Sequence, residues 1–261
     1  MYGAIIGDLA GSIYEYDQLK KVKPIKCKNI IENNSFFSDD TILTVAILDA
    51  ILNDKNYFKY LRNYIKMYFD YKPSYSPYFS SSFSPSTLKW ATSNEIGNNY
   101  GNGAMMRISP IGYLFDSEEE VIKNAILATK PSHNTFDALY SASIIALMIF
   151  YFRKGYSKNE VFDKFNLKVE YKPFSKFNYT CKDTLGNILY VIYNSNSFDD
   201  AIRNTLLMGG DTDTNCAIVG SVMEAIYGVS DELKESANKK LPNSFVKVLE
   251  KGYKNIIYEK M

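Results

Sequence analysis

Two short stretches of this sequence gather acidic and hydroxyl residues in a pattern that suits cation chemistry. Met208-Gly209-Gly210-Asp211-Thr212-Asp213-Thr214-Asn215 opens directly into the apolar pattern Ala217 to Tyr227, and Ser38-Asp39-Asp40-Thr41 opens into Ile42, Leu43, Val45, Ala46, Leu48 and Leu52. Successive helical side chains are about 100° apart, so Asp211 and Asp213 on one ideal helix would diverge by about 200°. The pair is therefore expected on the turn before the helix, where Gly209 and Gly210 allow backbone conformations closed to other residues and oxygens can converge on the helix N-terminus. Alone, each pair reads as an N-cap with a dipole-stabilised neighbour. Together, two such helix starts offer four aspartates that would repel one another unless cations neutralise them, and oxygen-only ligands suit hard ions such as Mg²⁺, Mn²⁺ or Ca²⁺. A two-metal site, with ions about 3.5–4 Å apart, is the expectation.

Two other motif readings fail or weaken on spacing. An EF-hand loop starting at Asp211 would place Cys216 where glycine is needed and Val222 where glutamate is needed. An aspartyl-phosphate motif fits Asp211 to Thr214 better, but Asn215 is wrong at its last place and strand signals are scarce. It stays as a remote alternative, a phosphohydrolase.

The elements that must carry these residues read as helices. Tyr2 to Tyr14 is a first helix rich in Gly and Ala, a composition that lets helices approach closely; Asp8 reads as a buried or capping carboxylate, and Glu15 begins a polar stretch just beyond it. Helical periodicity recurs in Tyr57 to Tyr71, Glu118 to Lys130, Asn159 to Phe165, Asp183 to Tyr193 and Ser197 to Met208, with two more helices split by Pro242. The apolar run Ala138 to Phe152, broken by Ser141 and Ser143, falls short of the roughly 20 residues of a membrane span and reads as a helix buried on all sides. Lys72 to Asn102 lacks periodicity apart from a short helical candidate near Leu88-Lys89-Trp90; its Tyr and Phe residues suggest an ordered, ligand-facing loop suited to covering an adenine. The expected fold is an all-α, single-domain orthogonal helical bundle over residues 1–261, with a dinuclear metal site at helix N-termini.

Composition narrows the partners. The chain has 261 residues, 30 basic against 29 acidic side chains and a formal charge of +1, so it has no broad field for nucleic acid or an anionic membrane. Three cysteines, Cys27, Cys181 and Cys216, are widely spaced and odd in number, which points to free thiols in a reducing compartment; with no basic leader, a cytoplasmic monomer is expected. The single histidine, His133, nearly excludes a His-rich zinc site.

Two further segments offer ligand contacts. Gly101-Asn102-Gly103 allows close approach of backbone to a ligand, and Arg107 supplies a fork of donors suited to phosphate, although a tight turn and an ordinary ion pair would explain both. His133 lies at a helix junction, where a capping role competes with ligand contact.

The chain resembles the ADP-ribosylglycohydrolase family, which includes the dinitrogenase reductase activating glycohydrolases. The resemblance runs nearly end to end and is carried by Gly3-Ala4-Ile5-Ile6-Gly7-Asp8 with Gly11-Ser12-Ile13-Tyr14-Glu15, Ser38 to Thr41, Gly101 to Arg107 with Ser109-Pro110-Ile111-Gly112, Ser132-His133, and Gly209 to Thr214. It implies hydrolysis of the glycosidic bond between ADP-ribose and a modified protein side chain or small acceptor. Two Mg²⁺ ions, or Mn²⁺, would be held by Ser38, Asp39, Asp40, Asp211, Asp213 and Thr214; Glu15 or Asp39 would transfer the proton; Asn102, Gly103, Arg107 and His133 would line the ADP-ribose cleft. Relatives with a Ser-aromatic-Tyr-Glu pattern, in which Ile13 here takes the aromatic place, use the glutamate at a mobile flap, and many follow the histidine with a second histidine and a glutamate. Here Thr135 and Asp137 stand near those places. The family also holds lens crystallins, so a non-catalytic ADP-ribose binder is the alternative.

Overall fold

The structure, a computed structural model, describes residues 1–72 and 81–258. Fourteen helices follow one another among these residues: α1 Tyr2–Lys20, α2 Asp39–Leu52, α3 Tyr57–Met67, α4 Pro85–Thr92, α5 Gly103–Met106, α6 Ser109–Leu114, α7 Glu118–Thr129, α8 Phe136–Arg153, α9 Lys158–Lys164, α10 Cys181–Asn194, α11 Phe198–Met208, α12 Thr212–Tyr227, α13 Asp231–Asn238 and α14 Asn243–Tyr258. No strand forms among the described residues; two isolated bridges, Asn98 to His133 and Gly101 to Thr180, are the extended pairings. The all-α expectation holds.

Local sequence sets most helix starts. Side chains of Ser38, Ser84, Ser117, Thr180, Ser197 and Ser230 each accept a hydrogen bond from a backbone N–H of the following turn, and Ser157 with Glu160 forms a capping box. Two short helices, α5 and α6, are not expected from the sequence, because four to six residues give no measurable period. Pro110, near the start of α6, suits a position where its missing N–H costs nothing.

The core is organised by α1 and α12. These two helices run antiparallel with their backbones in contact: a Cβ on Gly3 would overlap the Gly220 carbonyl, one on Gly7 the Cys216 carbonyl, and one on Gly11 the Thr212 carbonyl. Four-residue spacing on both helices makes a matched stripe of small residues along the crossing. Ile5, Ile6, Leu9, Ile218, Val219 and Val222 fill the space on either side and are fully buried. Around this pair pack α2, α8 and α11. α8 is apolar around its circumference and mostly buried, and only its first turns, at Phe136 and Tyr140, are well exposed.

The first helix continues past Tyr14 to Lys20, so Glu15 does not begin a loop. It lies on α1, seven residues from Asp8; two turns of helix return both acids to one face.

Candidate functional site

Antiparallel packing of α1 on α12 carries the later turns of α1 to the start of α12. Asp211 is the N-cap of α12, with φ −73° and ψ 81°, and its side chain makes no capping bond. Asp213 lies inside the first helical turn, so the expected turn holds one of the two aspartates and the helix holds the other. Gly209 and Gly210 both have positive φ, 68° and 79°, and a Cβ on Gly210 would strike Asn178 Oδ1. Asn178 in turn accepts from Asp211 N at 2.9 Å and donates to Asn215 Oδ1 at 2.9 Å and Thr184 Oγ1 at 2.8 Å, which fixes the loop.

The N-terminus of α2 is tied to α1 by Asp8. Its Oδ2 accepts from Ser38 N at 2.8 Å, Thr41 N at 3.1 Å and Thr41 Oγ1 at 2.5 Å. Ser38 Oγ caps α2 through Asp40 N and also donates to Asp40 Oδ2 at 3.1 Å; Thr214 Oγ1 reaches the same Oδ2 at 3.4 Å. Two acidic groups result, each with ligand oxygens within 4.8 Å of one another: Asp8, Asp40 and Asp213, and Glu15, Asp211 and Asp213. Asp213 is common to both. Glu15 therefore joins the aspartates rather than opening a polar stretch beyond the first helix, and Asp8 joins them although its sequence position suggests only a buried or capping role. The seven-residue spacing of Asp8 and Glu15 is the signal that could have found this.

Electrostatics agree that these carboxylates are crowded. Burial, then the Asp213 charge, push Asp8 up to about 7. Burial and Asp213 also hold Glu15, Asp39, Asp40 and Asp211 well above the usual carboxylate range. Asp8 Oδ1 and Asp40 Oδ1 are buried without a hydrogen-bond partner among the described residues. Unpartnered, all-oxygen, mutually repelling donors are a set that hard divalent cations fit.

Four of the five clustered acids, Glu15, Asp40, Asp211 and Asp213, form the floor of a cleft of about 710 Å³. Glu15, Asp39, Asp40, Asp211, Asp213 and Thr214 reach it, as do Asn102, Gly103, Arg107 and His133; Ser38 lies behind its wall. Asp39 is partly exposed and belongs to neither acidic trio; its N–H donates to Ser82 Oγ at 3.1 Å. Asn102 Nδ2 donates to Asp211 Oδ2 at 2.6 Å, holding that carboxylate from the opposite wall. Aromatic lining comes from Phe83 and Trp90, both buried, and from the exposed rings of Tyr100 and Tyr179, 6.5 Å apart. Tyr179 and Asn178 lie in a lysine-rich segment with no periodic or motif signal, and sequence reasoning misses both. Residues 73–80 of the expected ligand-facing loop lie outside the described residues.

Arg107 lines the cleft as a buried side chain. It is 2% exposed, and its guanidinium donates to Ser132 Oγ at 2.6 Å, with burial drawing its pKa down to about 10. One arm of its fork is thus engaged by the protein itself. Thr135, near the place where many relatives carry a second histidine, is the N-cap residue of α8, and its hydroxyl donates to Asn99 O at 3.0 Å.

An all-helical bundle whose helix N-termini pool carboxylates on a cleft floor is the class of protein the fold and site define. The sequence profile of the ADP-ribosylglycohydrolase family matches residues 1–258, and the chain belongs to that family. Among solved structures it is similar to an ADP-ribosylglycohydrolase-related protein complex, at a TM-score of 0.68 and 16% identity, over 98% of this chain and 92% of that one, a likeness of fold. No curated protein sequence matches it. Because the motif Asp211 to Asn215 follows a helix, α11, and no strand forms among the described residues, nothing structural supports the aspartyl-phosphate alternative.

Proposed function

We propose that this protein hydrolyses the glycosidic bond joining ADP-ribose to a protein side chain or small acceptor, acting as a cytoplasmic monomer on ADP-ribosylated substrates with two Mg²⁺ ions, or Mn²⁺. The observation that carries this reading is the pair of acidic trios sharing Asp213 on the floor of a cleft of about 710 Å³. Three free cysteines agree with a reducing compartment.

Asp8, Asp40 and Asp213 would hold one cation, and Glu15, Asp211 and Asp213 the other. When bound, such ions supply positive charge that offsets the carboxylate repulsion and polarises ligand oxygens. The transition state of glycoside cleavage is oxocarbenium-like and requires a proton for the leaving group. Asp39 would deliver that proton: it reaches the cleft and stands outside both trios, which leaves its carboxyl free of the cations. Asn102 orients Asp211, while Gly103 leaves the wall open beside His133.

The reading can be tested with a panel of ADP-ribosylated peptides and nucleosides assayed with Mg²⁺ and with a chelator. Metal-dependent release of ADP-ribose is expected. Binding of ADP-ribose with no release from any member of the panel would instead make the chain a non-catalytic binder, the reading to which the departures at Thr135 and Asp137 lend themselves.

A further inference from the structure

We infer that Arg107 and Ser132 act as positioning residues that lock His133 in one neutral tautomer, so that it offers an Nε2–H donor to a ligand oxygen in the cleft. The ligand side of this inference rests on the function proposed above; the tautomer does not.

Donors and acceptors decide the tautomer. Ser132 Oγ lies 2.7 Å from His133 Nδ1, and Arg107 Nη2 lies 2.6 Å from the same Oγ and 3.4 Å from Nδ1. Guanidinium is a donor only. Its N–H therefore occupies a lone pair of the serine oxygen, leaving the serine hydrogen free to point at Nδ1. A hydrogen on Nδ1 would face both the guanidinium hydrogens and a cation. Nδ1 must be the acceptor, and the ring proton must sit on Nε2. The imidazolium, with hydrogens on both nitrogens, meets the same conflict, and burial with the Arg107 charge pulls the ring well below its usual pKa.

Ring placement gives the donor a target. The His133 and Ser132 backbone N–H groups both donate to Thr129 O, at 3.0 and 3.3 Å, which pins the segment before α8. Nε2 faces the two glycines of the cleft wall: ideal Cβ positions on Gly101 and Gly103 lie 3.7 and 3.6 Å from it. Among the described residues no protein group bonds Nε2. A donor left open at the wall of a cleft suits a ribose hydroxyl or phosphate oxygen. In this arrangement His133 neither gives nor takes a proton in the reaction, and Arg107 contributes through the ring rather than through the ligand.

The chain contains one histidine, so a long-range ¹H–¹⁵N spectrum of the full-length labelled protein reads its tautomer without assignment. The neutral Nε2–H form alone, near neutral pH, is expected. A dominant or mixed Nδ1–H form, or an imidazolium, overturns the inference. Adding ADP-ribose should shift the Nε2 signal; an unchanged signal with binding seen by calorimetry overturns the donor role. His133→Gln, whose amide nitrogen reaches the Nε2 place, should keep ADP-ribose affinity within about threefold, whereas His133→Asn should lose about tenfold, the worth of one hydrogen bond. The reverse order overturns it. Should ADP-ribose fail to bind the unmodified protein, the proposed function falls, and the spectrum still decides the tautomer.

Discussion

The Thr212 hydroxyl of α12 donates a 2.8 Å hydrogen bond to the Gly11 carbonyl of α1, at a point where the two helix backbones touch. That contact lies one turn from Glu15 on one helix and next to Asp211 and Asp213 on the other. It fixes the distance between carboxylates that come from opposite ends of the sequence. Gly11→Ala would drive a methyl group into the Thr212 carbonyl, and overpacking of this kind costs about 1–3 kcal/mol. A fall in thermal midpoint is expected, together with weaker cation binding from the splayed site. A variant as stable as the parent would show that the helices separate freely.

Asp213 belongs to both acidic trios, so Asp213→Asn should remove Mg²⁺-induced thermal stabilisation and turnover together. The amide keeps the shape and removes the charge. Combining it with Asp39→Asn should add nothing to the loss of stabilisation, because Asp39 lies in neither trio. Thermal melts with and without Mg²⁺ on the single and double variants check this. Full metal-dependent turnover in the double variant would sink the dinuclear arrangement.

Glu15 and Asp39 divide the remaining roles. Asp39→Asn should lower kcat by about 10²–10⁴-fold, the usual contribution of a positioned acid or base, with cation affinity nearly intact. Glu15→Gln should chiefly weaken cation affinity and raise KM, since its carboxylate stands with Asp211 and Asp213. Metal titrations and steady-state kinetics on both variants separate these patterns, and the opposite pattern would exchange the assignments.

Stability of the metal-free protein should fall as pH rises. Asp8 goes from an ordinary carboxylate value of 3.8 to about 7 on folding. Below about pH 4 the group is protonated in both states. Between about 4 and 7 the unfolded chain releases the proton while the folded chain keeps it, so unfolding gains progressively, and the loss levels off above about 7. Asp40, Asp211 and Glu15 shift in the same direction and reinforce the trend. Melts in chelator from about pH 5 to 8 should show a declining midpoint, and Mg²⁺ should restore most at the alkaline end. A metal-free midpoint that climbs through this window would contradict the carboxylate crowding.

What the sequence determined by itself is local. The starts of α2 and α12, the glycine turn before Asp211 and the helical character throughout follow from caps, periodicity and backbone freedom within a few residues of each position. The short helices α5 and α6 escape because they hold too few residues for a period. Tertiary structure alone decided which acids meet. Asp8 and Glu15 share a face of α1 by spacing, yet only the stripe of Gly3, Gly7 and Gly11 against Gly220, Cys216 and Thr212 brings that face to Asp213. The same holds for Arg107: its fork of donors is evident from residue type, but its partner, Ser132, comes from the segment before α8 and turns it inward. Contacts between residues far apart in the chain depend on complementary surfaces, and a side chain's own neighbours in sequence carry no record of them.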